Sequence, residues 1–99
     1  MDSIKELIYK IKLRPAMYIT WNDIFCLKAF LDGWYLRDIN NVSDLELMSD
    51  FQKWIEQSYR ITTSHSWAHI LLFFSSDNRT ALENFFKEFD VFISERESK

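Results

Sequence analysis

The sequence predicts an all-α protein, a single-domain bundle of four to five helices over residues 1–99. Three observations predict it. One Gly and one Pro are too little punctuation for many-turned β structure. Patterns of a hydroxyl residue followed three positions later by an acid recur along the chain, each leading into apolar residues at helical spacing. Residues 67–74, Trp-Ala-His-Ile-Leu-Leu-Phe-Phe, are apolar at almost every position and need cover on more than one face.

In chain order, Ser3-x-x-Glu6 opens the first helix, with Ile4, Leu7, Ile8 and Ile11 as its stripe. Pro15 ends it near Leu13, because the residue before proline is pushed out of the α region. Ala16 to Ile19 reads as a short extended connector. Thr20 then serves as N-cap, with Asp23 at the third helical position, and Ile24, Leu27, Leu31 and Trp34 or Tyr35 follow to about Arg37. Gly33 lies inside this helix at a cost of about 1 kcal/mol relative to Ala, and is expected to mark a close helix–helix approach.

Asn40-Asn41 is a loop, and Ser43-x-x-Glu46 opens a third helix with Leu47, Met48, Phe51, Trp54, Ile55 and Tyr59 inward. After a link from Arg60 to Ser64, Ser66 caps the apolar run. By periodicity alone that run suits a buried strand as well as a helix; the lack of a partner strand and the low β-branched content favour helix. Thr80-x-x-Glu83 caps the last helix, with Leu82, Phe85, Phe86, Phe89, Phe92 and Ile93 inward. The charged tail from Ser94 is expected to fray.

Composition narrows the class of protein. With 47% hydrophobic and 17% aromatic residues the chain is globular, and nine Phe and four Trp suffice for a core without disulfide or structural metal. The single Cys, Cys26, cannot form an internal disulfide and reads as a small buried hydrophobe. The N-terminus alternates charge and hydrophobe where a secretory leader would be basic and then apolar, and no run reaches the ~20 residues of a membrane span. A cytoplasmic protein is the expectation. A net charge of −3 argues against direct nucleic-acid binding, which needs cations for phosphates, and suits a basic protein partner.

No catalytic, cofactor or metal site emerges from the residues. His65 and His69 are four apart, the spacing of metal-binding histidines on a helix, but further ligands are not evident. Ser66 and His69 could pair as nucleophile and base, yet no nucleophile elbow or glycine-rich oxyanion loop surrounds them. The candidate partner-binding residues are the acids Asp32, Asp38, Asp44, Glu46 and Asp50, at the end of the second helix and the start of the third, with Trp34 and Tyr35 as aromatic anchors. The plainer reading of those acids is a solvated, capping face.

Short motifs carry a resemblance along most of the chain: Arg14-Pro15-Ala16-Met17-Tyr18, Phe30-Leu31-Asp32-Gly33-Trp34, Phe51-Gln52-Lys53-Trp54-Ile55, Ser66-Trp67, and Ala81-Leu82 with Phe85-Phe86. Together they resemble a family of small bacterial immunity proteins of toxin–immunity systems, including contact-dependent growth inhibition. The resemblance implies a non-enzymatic protein that binds and neutralises a cognate toxin domain, here expected to be a nuclease, by direct occlusion. A helical adaptor without catalytic function is the alternative. The family's Gly after Arg-Pro is Ala16 here, and Thr20 stands where a second Gly is usual. Arg14 to Ile19 also resembles a stretch near the ATP site of type II topoisomerases, whose nucleotide loop needs several glycines that this chain lacks.

Overall fold

Ser3 opens the first helix as its capping box predicts: its Oγ accepts the Glu6 amide at 3.2 Å. In the computed structural model, which describes residues 3–98, this helix, α1, spans Ile4–Leu13. It is followed by α2 (Ile24–Arg37), α3 (Leu47–Ser58), α4 (Trp67–Phe73) and α5 (Asn78–Glu97). No strand occurs among the described residues, so the chain is all-α, with five α-helices. The Cα radius of gyration of 13.1 Å matches the roughly 13 Å expected of a one-domain chain this long.

The apolar run at 67–74 is helical and central. Ser66 caps it by accepting the His69 amide at 3.3 Å, and α4 packs against α2, α3 and α5. Its cover is one-sided, however. Trp67, Ala68, Ile70 and Leu71 are buried, whereas His69, Phe73 and Phe74 are exposed. At 100° per residue, His69 and Phe73 fall on the side of α4 opposite the buried face.

Around α4 the interior is aromatic. Phe51 of α3 is completely buried and touches the rings of Trp54, Trp67, Phe85, Phe89 and Phe92, with centroids 5.4 to 6.2 Å apart. Ile4, Ile8 and Ile11 bury α1, and Tyr9 meets Phe89 edge-on at 6.3 Å, so α1 lies along α5. No polar or charged residue is buried among the described residues, so cohesion comes from apolar area and ring packing.

Several helix ends differ from the sequence reading, and mostly for one reason: a charged acceptor outcompetes a hydroxyl. Asp23, not Thr20, caps α2, its Oδ1 accepting the Phe25 amide at 2.7 Å. Asp77, not Thr80, caps α5 and accepts the Thr80 amide at 2.8 Å. That bond holds the Asp77 carboxyl below its ordinary pKa. The Ser43–Glu46 box does not form. Residues 43–46 are a turn, and α3 starts at Leu47 with no side-chain cap on Glu46.

Pro15–Met17 is a 3-10 turn instead of an extended segment, though Ile19 behind it is buried and Tyr18 packs on Phe30 at 5.9 Å. A 3-10 turn also occupies Ile39–Asn41. A Cβ on Gly33 would meet nothing within 4 Å, so this glycine marks open space and no close helix approach. The tail does not fray at Ser94. It extends α5 to Glu97, tied by Trp54 Nε1 to Glu95 (3.3 Å), Arg96 to Asp50 (2.7 Å) and an ion pair between Lys5 and Glu97.

The end of α3 sets up the surface described next. The Arg60 amide donates to the Gln57 carbonyl and the Ile61 amide to the Glu56 carbonyl, the paired bonds of a Schellman motif. Arg60 itself takes the left-handed conformation, φ 54°, that a glycine usually fills. The chain reverses there and leads back towards α4.

Candidate partner-binding surface

The acids at the end of α2 and the start of α3 do not form one open face. Asp32 holds Lys28 at 2.7 Å, one helical turn back. Asp50 takes Arg96 of α5 at 2.7 Å. Asp44 reaches across to the start of α1, where its carboxylate accepts the amides of Ile4 (2.8 Å) and Lys5 (3.0 Å) and the Ser3 hydroxyl (3.2 Å). It caps a helix 40 residues away in sequence. Asp38 and Glu46 are exposed, at the end of α2 and the start of α3.

The two aromatic candidates are half-buried against the core. Trp34 carries the Arg37 guanidinium over its ring at 5.7 Å. Tyr35 and Asp32 share a cavity of about 200 Å³ floored by Trp67 and Leu31. Of the seven predicted residues, then, Asp32 and Tyr35 come together, Trp34 lies under Arg37, Asp38 and Glu46 are exposed, and Asp44 and Asp50 are engaged within the fold.

The sequence reading missed a second surface. Ile61, Leu72, Phe73 and Phe74 line an open groove of about 400 Å³ with His65 and His69 at its edge. Phe73 is 80% exposed, and its ring stands edge-on to Phe74 at 5.1 Å; Phe74 in turn leans on Tyr59 at 4.9 Å. The signal was present in the spacing. Once Trp67, Ala68, Ile70 and Leu71 define the buried face, His69 and Phe73 must face away from it.

The histidines have local partners. His69 Nδ1 lies 2.8 Å from Ser66 Oγ, and its ring meets Phe25 at 4.7 Å. His65 Nδ1 lies 2.7 Å from Thr63 Oγ1. The Ser66–His69 pair is thus the cap of α4, its hydroxyl already accepting a backbone amide. Among the described residues no group of three His, Cys, Asp or Glu is placed to hold a metal ion. Cys26 is partly buried against the core.

Near the groove, Glu88 and Tyr59 share a hydrogen bond. Burial pushes the Glu88 carboxyl above its ordinary pKa, against the opposing effect of the Tyr59 hydroxyl, and burial with the nearby Glu88 charge pushes Tyr59 up. A carboxyl whose pKa is raised on folding contributes stability below its unfolded pKa, and that contribution is lost as pH rises through the folded value. Glu88→Gln keeps a hydrogen-bonding partner for Tyr59 and removes the partly desolvated charge. Its melting temperature should match wild type near pH 3 and exceed it increasingly from about pH 4 to pH 7. The acid loss from Asp77 is common to both proteins and cancels in the comparison.

Compared with known proteins, the chain matches no family model, no curated protein and no solved structure. No helix among the described residues is long and apolar enough to cross a membrane.

Proposed function

We propose that the protein is a non-enzymatic immunity protein that neutralises a cognate bacterial toxin domain, a nuclease, by direct occlusion in the cytoplasm. The observation that carries this reading is how the side chains are divided. The interior is apolar throughout the described residues, while large aromatics stand on the surface, Phe73 at 80% and Trp21 at 71% exposure. Exposed aromatic anchors on a closed core suit binding by surface contact. The motifs behind the family resemblance fit a shared scaffold: Phe51, Trp54, Trp67, Phe85 and Phe86 belong to one aromatic cluster. A helical adaptor is the second reading, favoured by the open groove beside Phe73.

The test is co-expression. The reading frame next to this chain's own is induced in a naive host with and without the protein, and a complex is sought by affinity co-purification. Restored growth with a co-purifying complex supports immunity; arrest despite good expression, with no complex, moves the adaptor reading to first place. Long-range charge should then set the association rate. The double variant Asp38→Lys, Glu46→Lys, whose acids are exposed, should slow association roughly tenfold at low salt and leave it unchanged at 1 M salt. Stopped-flow mixing reads this; an unchanged rate at low salt removes steering from the mechanism. Asp44 and Asp50 are unsuitable for it, because each also holds the fold together.

A further inference from the structure

We infer that the groove over Phe73 and Phe74 is the seat for an apolar segment of the protein partner that carries carboxylates along its edge. This rests on the binding reading above and names the contact within it. The floor is apolar, and Phe74 stands between Phe73 and Tyr59, with ring centroids 5.1 and 4.9 Å away. At about 400 Å³ the groove is large enough for the side chains of one helical face or a short extended stretch.

Charge selects the occupant. The chain carries 15 acidic against 12 basic residues, yet no carboxylate lines this groove. Its titratable edge is the two imidazoles, and each has Nδ1 held by a neighbouring hydroxyl. Ser66 Oγ already accepts the His69 amide, and a hydroxyl that donates its own proton to Nδ1 leaves the ring hydrogen on Nε2. Thr63 Oγ1, 2.7 Å from His65 Nδ1, can donate in the same way. With the hydroxyl donating, Nε2 is a donor whether the ring is neutral or protonated. The adjoining surface, which continues from the groove through Ile61, carries two cations, Lys53 and Arg60, against one carboxylate, Glu56. A segment edged by carboxylates finds donors; one edged by lysines meets donor against donor.

Two synthetic 16-residue amphipathic peptides test this. Both carry leucines at i, i+3, i+4 and i+7, one with Glu and one with Lys on the flanks, and each is titrated into the full-length ¹⁵N-labelled protein. The Glu peptide should shift amides of residues 61–74 and bind at least fivefold more tightly than its Lys twin. The double variant His65→Ala, His69→Ala should bring that ratio towards one. Phe73→Asp should abolish binding with an unchanged circular dichroism spectrum, because Phe73 is exposed in the free protein. Equal affinity for the two peptides, or shifts elsewhere, overturns the inference. So does a concentration-dependent dimer in sedimentation velocity that Phe73→Asp dissolves, since a second copy would then be the occupant. In the co-expression assay, rescue by both wild type and Phe73→Asp rejects this seat and keeps the immunity reading. Selective peptide binding without rescue by wild type keeps the seat and rejects immunity.

Discussion

Phe51→Ala should lower the unfolding free energy by about 3–5 kcal/mol, the largest loss expected from any single truncation in this chain. Phe51 has no exposed surface, and its ring contacts aromatic rings of α3, α4 and α5. Truncation removes the buried area and leaves a cavity walled by large rings that collapse poorly into it. For a domain of about 5–15 kcal/mol total stability that is a fifth or more. The melting temperature should fall by roughly 15–30 °C. Phe51→Leu separates volume from ring geometry. It keeps most of the bulk and forfeits edge-to-face contacts worth about 0.5–1.5 kcal/mol each, so it should fall between the other two. Urea titration with tryptophan fluorescence reads all three proteins. A loss under 1 kcal/mol for the Ala variant would mean that Phe51 is not the hub of the core.

Asp44→Ala should cost about 1–2 kcal/mol, far more than a surface carboxylate usually matters. The carboxylate accepts two backbone amides and a hydroxyl at the start of α1, where the helix has unpartnered N–H groups and the positive end of its dipole. Asp44→Asn should recover about half, since the amide oxygen still accepts but the charge is gone. Asp44→Lys should be worst, by a further 0.3–1 kcal/mol or so, because a cation then faces the dipole. Asp38→Ala, the neighbouring exposed acid, should stay within about 0.5 kcal/mol of wild type. Chemical denaturation of this set checks the order; an Asp44→Ala protein as stable as Asp38→Ala would leave the capping role without support.

These variants also mark where sequence reading succeeds. The helical stripes were legible because the information is local: Ile4, Ile8 and Ile11, or Leu47, Phe51 and Ile55, declare a buried face by spacing alone. Caps were legible only where no stronger acceptor stood near. Ser3 and Ser66 act as read, but at Thr20 and Thr80 a neighbouring aspartate takes the amide. The role of Asp44 was out of reach, because its amides lie 39 and 40 residues away and nothing local announces them. The acidic cluster failed as a continuous face for the same reason, Asp50 being claimed by Arg96 from 46 residues on. The Phe73 groove was legible in principle. Its two phenylalanines were read as more of a buried run, whereas a helix of seven residues can turn only part of its circumference inward.

The ion pair between Lys5 and Glu97 has a topological consequence. It brings the first turn of the first helix against the last turn of the fifth, so the backbone nearly closes into a ring. A ring has no privileged starting point. A short linker could join residue 98 to residue 3, and the chain could be opened instead at the exposed Asn40-Asn41, which lies outside the aromatic core. A permuted chain that keeps its circular dichroism spectrum and cooperative melting would show the fold to be written in the faces of the helices and not in the order in which they are strung together.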